Sequence, residues 1–334
     1  MTYVQEEITF TSGEITLAGT LTLPEAPTTH PTTVLLQGSG PLNRDEEAFG
    51  MKPFMIIADY FARNGIAVLR YDSRGVGGST GAASQYTLSD VAEDTLAAVR
   101  YLKARSDVDS LQIGLCGHSQ GGIVAPMCAA RSEDVAFIIC ISGIGVTGEE
   151  NYLTQTKLAG EDDGATGDEV ENSIQSAKNI VNLIRGGAGR AELEPEVMKM
   201  VQGPGFEEED KTRTDDDLTA GVDCYLTMFS SPWFKSFLEH DAKPVLESVK
   251  CPALLIFGGL DRQVPPEMNR KAMISALESG GNSDYLVKTF PTANHLFQNA
   301  KTGSLAEYGS LEKDFVPGFL ELMSNWITER ALKS

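Results

Sequence analysis

The stretch Leu111-Gln112-Ile113-Gly114-Leu115-Cys116-Gly117-His118-Ser119-Gln120-Gly121-Gly122-Ile123-Val124-Ala125 decides the fold of this chain. Its first six residues form a mostly apolar run typical of a buried strand, and the residues from Gly121 onward begin a helix. Glycines before and after Ser119 permit a tight turn, because neither has a Cβ that would clash. The stretch therefore predicts a strand, a sharp turn with Ser119 at its tip, and a helix.

The same alternation of short apolar runs and helical segments continues on both sides of this stretch. A hairpin over 7–10 and 15–23 comes first. Strands are predicted at 33–36, 66–71, 111–116, 135–141, 253–258 and 285–290. Helices are predicted at 53–63, 88–102, 120–130, 267–277 and 319–332. Such βαβ units predict an α/β fold with a mostly parallel central sheet and helices on both faces.

The alternation is lost between residues 149 and 243. This segment holds 21 acidic and 9 basic residues, or −12 of the total charge of −20. Helical stretches are separated by Gly186-Gly187 and Gly203-Pro204-Gly205, and a segment rich in aromatic residues follows at 225–237. That apolar segment argues against a disordered acidic insert. We therefore expect a helical cap at 149–243, inserted between two parts of the sheet domain, 1–148 and 244–334.

The composition excludes several classes of protein. With 47 acidic against 27 basic residues among 334, the chain should be repelled by nucleic acids and by anionic membranes. No apolar run is long enough to span a bilayer. The five cysteines are odd in number and widely spread, which indicates free thiols in the cytoplasm. No Cys/His cluster suggests a metal, so we expect neither a metal nor a cofactor. The oligomeric state stays open.

Two segments match the pattern Gly-x-Ser-x-Gly, and their context separates them. Gly117–Gly121 lies between a predicted strand and a predicted helix, as a nucleophile elbow requires. Gly77–Gly81 precedes a loop, so we interpret that copy as a structural turn. Ser119 is therefore the candidate nucleophile.

A serine hydroxyl needs a base, and the base needs a carboxylate to orient it. Among the four histidines, His295 lies on a loop after the last predicted strand. Asp261 follows the strand at 253–258. Because chemistry in such sheets gathers beyond the carboxyl ends of the strands, the order Ser119, Asp261, His295 predicts a catalytic triad.

Acyl transfer also needs two donors for the developing oxyanion. The backbone N–H of Gln120, directly after the nucleophile, is one candidate. The other is the N–H of Ser39 in the glycine-rich stretch 37–41.

Together these motifs resemble the α/β-hydrolase superfamily, and within it bacterial esterase D-type carboxylesterases with their dienelactone-hydrolase-like and acyl-peptidase-like relatives. The resemblance covers nearly the whole chain. Its most specific segments are 37–41, 69–77, 117–121, 231–234, 261–265 and 294–298. Dienelactone hydrolases proper use cysteine where this chain has Ser119, which disfavours that activity.

The resemblance implies a serine carboxylesterase that hydrolyses small or short-acyl esters through an acyl-enzyme, with a small-molecule ester as its partner. A peptidase of the aminopeptidase or acyl-peptidase type and a catalytically silent binding protein are the alternatives. An apolar cluster in the expected cap either lines the substrate pocket or docks the cap onto the sheet domain. Its candidate pocket residues are Tyr225, Met228, Phe229, Trp233 and Phe234.

Overall fold

The computed structural model of the protein describes residues 1–26, 28–202 and 215–331. Within these residues, eight strands form a single sheet. The strands are β1 (Tyr3–Ser12), β2 (Ile15–Pro24), β3 (His30–Leu36), β4 (Ala67–Tyr71), β5 (Val108–His118), β6 (Phe137–Ile141), β7 (Ala253–Gly258) and β8 (Tyr285–Phe290).

The order of strands across the sheet is β1-β2-β4-β3-β5-β6-β7-β8. The pairs β1/β2 and β2/β4 are antiparallel, and all other neighbours are parallel. In the centre, Leu115 of β5 pairs with Val34 of β3 and Ile138 of β6. The predicted α/β fold with a mostly parallel sheet is confirmed.

The same described residues contain eleven α-helices and one short 3-10 helix over Leu305–Ser310. The helices are α1 (Pro53–Arg63), α2 (Leu88–Lys103), α3 (Gly121–Ala129), α4 (Gly148–Asp162), α5 (Gly167–Arg185), α6 (Arg190–Gln202), α7 (Asp215–Phe229), α8 (Pro232–Leu238), α9 (Ala242–Ser248), α10 (Pro266–Ser279) and α11 (Phe319–Ala331). None of them is both long and apolar enough to cross a membrane.

Helices cover both faces of the sheet. On one face, Phe54 and Phe61 of α1 and Trp326 of α11 share a core with Cys116 of β5 and residues of neighbouring strands. Leu115, the residue before Cys116 in β5, points to the other face and is also fully buried. Helix α3 packs against β5 and β6, and Cys128 Sγ of α3 donates to the Ala92 carbonyl of α2 at 3.4 Å. Burial on both faces explains why these strands read as continuous apolar runs.

The observed elements extend some predicted ones. Strand β3 begins at His30, three residues earlier than predicted, and β5 begins at Val108 instead of residue 111. Leu111 lies within β5 but is 83% exposed. Its apolar side chain was therefore a poor marker of the buried part of that strand.

Residues Ser84–Leu88 and Thr147–His240 form a second compact unit. In it, α4 packs on α5, α5 on α6, and α6 on α7. The Thr147 side chain accepts the Glu150 N–H at the start of α4, and Thr166 with Glu169 forms a capping box at the start of α5. Such caps favour helices in a polar sequence.

The bounds of this unit differ slightly from the predicted insert of 149–243. Helix α9 packs on α3 and α10, so the chain from Asp241 onward belongs to the sheet unit. Gly186-Gly187 ends α5, with Gly187 at a φ of +78° that suits glycine. The other predicted break, Gly203-Pro204-Gly205, lies outside the described residues.

Candidate active site

The carboxyl ends of the parallel strands carry the candidate site, because they meet at one edge of the sheet. The residues that follow these strands are Gln37 after β3, Ser119 after β5, Ser142 after β6, Asp261 after β7 and His295 after β8. We call residues 37–41 the oxyanion loop and residues 291–298 the histidine loop.

Ser119 occupies the tip of the turn between β5 and α3. Its φ is +54°, which is uncommon for a residue other than glycine and is typical of a nucleophile elbow. Its N–H donates to the Ile141 carbonyl at 2.9 Å, and its carbonyl accepts the Gly122 N–H at 2.9 Å. A Cβ at position 117 would lie 2.0 Å from the Gly121 carbonyl oxygen. The turn is therefore closed so tightly that residue 117 has to be glycine.

Asp261 and His295 are in direct contact. His295 Nδ1 lies 2.7 Å from Asp261 Oδ2, and both side chains are buried. Asp261 Oδ2 also accepts the Ser142 hydroxyl at 2.6 Å. Asp261 Oδ1 accepts the backbone N–H groups of Gln263 at 2.9 Å and Val264 at 2.8 Å. The carboxylate is held by four donors, so its position is well determined.

These contacts set the ionisation of the pair. Burial alone would raise the pKa of Asp261, but the charge and hydrogen bond of His295, together with Ser142 and Val264, outweigh burial and lower the pKa. An ionised Asp261 assigns the proton of a neutral His295 to Nδ1. The lone pair of Nε2 is then left for proton transfer.

In the described chain, Ser119 and His295 share no hydrogen bond. His118, the residue before the candidate nucleophile, has its ring centroid 4.6 Å from that of His295, so the elbow and the histidine loop are neighbours. Bonds between nucleophile and base are often long in free enzymes and shorten when substrate binds. The predicted contact between Asp261 and His295 is present, and the predicted transfer from Ser119 to His295 stays a prediction.

The oxyanion loop also lies against the nucleophile. A Cβ at position 38 would be 3.6 Å from Ser119 Cβ. Ser39 is exposed and Gln120 is buried at the start of α3. Neither backbone N–H donates to another atom in the part of the chain that the structure describes. Two unused donors near Ser119 suit the predicted oxyanion hole, and this role also stays a prediction.

Four contacts in the site were missed by sequence reasoning. Ser142 orients Asp261, and the Tyr308 hydroxyl accepts the His295 N–H at 3.2 Å. Glu46 Oε1 lies 2.9 Å from His118 Nδ1 and accepts the Gly38 N–H at 2.6 Å. Only Ser142 had a sequence signal, since it directly follows the apolar run at 135–141.

Two alternative nucleophiles have structural roles. Ser79, in the second Gly-x-Ser-x-Gly segment, is buried; its hydroxyl accepts the Ala18 N–H at 3.0 Å and donates to the Asp72 carbonyl at 2.8 Å. The segment is thus a turn tied to the sheet. Cys116 is fully buried in β5, and burial raises the pKa of its thiol far above the usual range. A thiol in that state is a poor nucleophile.

The predicted pocket residues lie in the second unit. Phe229 and Phe234 are buried and form an aromatic core with Tyr152, with ring centroids 4.9 to 6.1 Å apart. Met228 and Trp233 are half-buried, and Tyr225 is 41% exposed. Phe229 and Phe234 therefore stabilise that unit internally, and contact of this cluster with a substrate stays a prediction.

The described residues contain no group of three or more histidine, cysteine, aspartate or glutamate side chains arranged to hold a metal ion.

Comparison with known proteins agrees with this arrangement. A family model for the alpha/beta hydrolase family matches residues 34–301. Esterase EstD of Thermotoga maritima is 27% identical over 299 residues, which cover 88% of this chain and 61% of EstD. The chain thus spans about three fifths of the length of that relative.

Solved structures of low sequence identity share the fold. Est1E from Butyrivibrio proteoclasticus, solved with bound ferulic acid, has a TM-score of 0.53 and 17% identity, with 98% of both chains covered. The Pyrococcus furiosus esterase Pf2001 has a TM-score of 0.58 and 14% identity, with 98% of this chain and 93% of that chain covered. Because the family match spans most of the chain and the sheet order, the elbow and the Asp261–His295 pair agree with it, this protein belongs to the alpha/beta hydrolase family.

Proposed function

We propose that the protein is a serine carboxylesterase that hydrolyses carboxylic esters with small or short acyl groups. The observation that carries the proposal is the buried Asp261–His295 pair together with Ser119 at a strained elbow on the same edge of the sheet. The esterase names of EstD, Est1E and Pf2001 support the reaction class. The proposed preference for small acyl groups rests on the resemblance to esterase D-type enzymes.

In the proposed reaction, Ser119 Oγ attacks the ester carbonyl carbon while His295 Nε2 accepts the hydroxyl proton. Asp261 stabilises the imidazolium that forms. The N–H groups of Ser39 and Gln120 donate to the oxyanion. His295 then protonates the departing alcohol, leaving an acyl-enzyme on Ser119. A water molecule, deprotonated by His295, attacks this acyl group and releases the acid.

Substitution of the nucleophile tests the proposal. Ser119→Ala should lower kcat for a short-chain p-nitrophenyl ester by about 10⁵ to 10⁶, because no other group can carry the acyl chain. Ser324→Ala, which changes a buried serine in α11 far along the chain from the site, is the matched control and should keep wild-type turnover. A Ser119→Ala protein with near wild-type turnover would contradict the proposal.

A fluorophosphonate probe and a substrate panel separate the alternatives. The probe should label wild-type protein at Ser119 and leave Ser119→Ala unlabelled. A wild-type protein that is not labelled would be a catalytically silent hydrolase fold. Faster turnover of aminoacyl-naphthylamides than of short esters would indicate a peptidase.

A further inference from the structure

A second buried carboxylate–histidine pair, Glu46 and His118, lies next to the candidate triad. Both side chains are at most 7% exposed. Glu46 has a φ of +53°, an unusual conformation for a glutamate. Such strained positions persist only where the surrounding structure holds them, and they cluster at functional sites. The proposed reaction assigns no role to either residue.

The contacts of this pair connect three segments of the site. Glu46 Oε1 accepts the Gly38 N–H of the oxyanion loop at 2.6 Å and lies 2.9 Å from His118 Nδ1. His118 Nε2 lies 2.9 Å from the His295 carbonyl oxygen in the histidine loop. His118 is also the residue directly before Ser119. The pair therefore links the segments that carry the oxyanion donor, the nucleophile and the base.

The geometry also indicates the charge of His118. A carbonyl oxygen only accepts hydrogen bonds, so Nε2 must carry a proton to bond to His295. Nδ1 faces Oε1 of the Glu46 carboxylate, which also accepts the Gly38 N–H and so acts as an acceptor. Both ring nitrogens of His118 then face acceptors, which only an imidazolium can satisfy fully.

The electrostatic surroundings agree with this assignment. Burial alone lowers the pKa of His118, but the charge of Glu46, its hydrogen bond and the bond to the His295 backbone outweigh burial and raise the pKa. Asp261 contributes a further negative charge. The other titratable group facing this ring is the His295 imidazole, 4.6 Å away between ring centroids.

We propose that Glu46 and His118 form a buried ion pair that positions the oxyanion loop and the histidine loop around Ser119. Both are positioning residues, since they act on the reaction through Gly38 and His295. Loss of the ion pair displaces the oxyanion donor and the base together. The kinetic part of this inference rests on the proposed ester hydrolysis, whereas the charge of His118 does not.

Nitrogen NMR of the imidazoles tests the charge without turnover. At about pH 8, an ordinary histidine is neutral, since its pKa is about 6.5. We expect both ring nitrogens of His118 to carry a proton at that pH. The signal is assigned by its absence in His118→Gln. A neutral His118 in the folded wild-type protein at this pH would overturn the ion pair.

Three variants test the positioning. Glu46→Ala removes the acceptor of Gly38 and should lower kcat by up to about 10²-fold with little change in KM, because misplaced groups act mainly in the transition state. Glu46→Gln keeps an oxygen that can accept the Gly38 N–H but removes the carboxylate charge that faces His118, so it should lower kcat less. His30→Gln, at a buried histidine in β3, is the matched control and should keep wild-type kinetics.

The variants also distinguish a loss of activity caused by misplaced loops from one caused by a failure to fold. Should Glu46→Ala fail to fold, the isosteric Glu46→Gln still reports through NMR, since His118 should then be neutral at about pH 8. Wild-type kcat in Glu46→Ala, or a charged His118 in Glu46→Gln, would overturn the proposal. If wild-type protein has no esterase activity and is not labelled by the fluorophosphonate, the proposed function fails, while the NMR result stands separately.

Discussion

The site contains two carboxylate–histidine pairs side by side, Asp261–His295 and Glu46–His118, and they differ in what the outer ring nitrogen contacts. In the first pair, no atom of the described residues bonds to His295 Nε2, so it is available to a substrate. In the second pair, the His295 carbonyl oxygen occupies His118 Nε2. We therefore propose proton transfer for the first pair and attachment of loops for the second, although both contain the same type of interaction.

The carboxylates differ as well. Asp261 accepts four hydrogen bonds, two on each oxygen. Glu46 receives both of its bonds on Oε1, and Oε2 has no partner among the described residues. A carboxylate with four donors is fixed whether or not its histidine is charged. In the proposed ion pair, Glu46 by contrast has His118 as its sole charged partner among the described residues.

The largest effect is expected when the first pair is broken. Asp261→Asn should lower kcat by about 10⁴, because an amide donor at this position favours the wrong tautomer of His295. Steady-state kinetics with a short-chain ester provide the measurement. Asp134→Asn, at an exposed aspartate of the sheet unit, is the control. A loss smaller than that of Glu46→Ala would reverse the assignment of the two pairs.

A weaker effect is expected when Asp261 loses one of its four donors. Ser142→Ala removes the 2.6 Å bond to Oδ2 but leaves His295 and both backbone donors in place. Bonds to charged groups contribute about 1.5 to 3 kcal/mol, so kcat should fall by about 10- to 100-fold. Ser324→Ala again serves as the control. A wild-type kcat would show that Ser142 does not orient Asp261.

The two pairs should lose stability at opposite ends of the pH scale. The raised pKa of His118 gives a contribution that is fully present below the unfolded value of about 6.5 and is lost as pH rises through the folded pKa. The lowered pKa of Asp261 gives a contribution that is present above about pH 3.9 and is lost as pH falls through the folded pKa.

Thermal unfolding as a function of pH measures this difference. On the alkaline side, the Tm of wild type should fall more than that of His118→Gln, by roughly 1 to 2 °C for each kcal/mol lost. On the acidic side, the Tm of wild type should fall more than the Tm of Asp261→Asn as the pH is lowered. Parallel Tm curves for wild type and His118→Gln would show that His118 is not paired in its charged form.

The smallest effect concerns long-range charge. With a net charge of −20, the protein should repel an anionic ester, and salt should screen this repulsion. We expect kcat/KM for an anionic ester to rise a few-fold between about 0.01 and 0.15 M salt, while a neutral ester of equal size stays constant. Equal salt dependence of both esters would show that the field does not reach the site.

The sequence was sufficient for the mostly parallel sheet and for placing Asp261 and His295 on loops after neighbouring strands, because both depend on local patterns. Strands β7 and β8 were predicted with their observed bounds, since each is a short apolar run between turn residues. Ser119, Asp261 and His295 each follow such a strand. The contact between Asp261 and His295 then follows from parallel strands meeting at one edge.

The sequence was not sufficient for Glu46 or Tyr308. Glu46 lies in an irregular loop, and only the observed positive φ directs its carboxylate to Gly38 and His118. Tyr308 lies in a 3-10 helix thirteen residues after His295, where no periodic pattern marks it. Contacts made across loops depend on tertiary packing, which single-sequence patterns do not encode.

The position of β8 at the edge of the sheet determines when activity can return during refolding. Within the described sheet, β8 pairs with β7 alone, and the chain leaving β8 carries His295. An intermediate that has assembled β3, β5 and β6 already displays Ser119, but it has no base to activate it. If the proposed esterase reaction uses His295 as its base, recovery of that activity after denaturation should not precede docking of β8, whereas the circular dichroism of the helices can recover earlier.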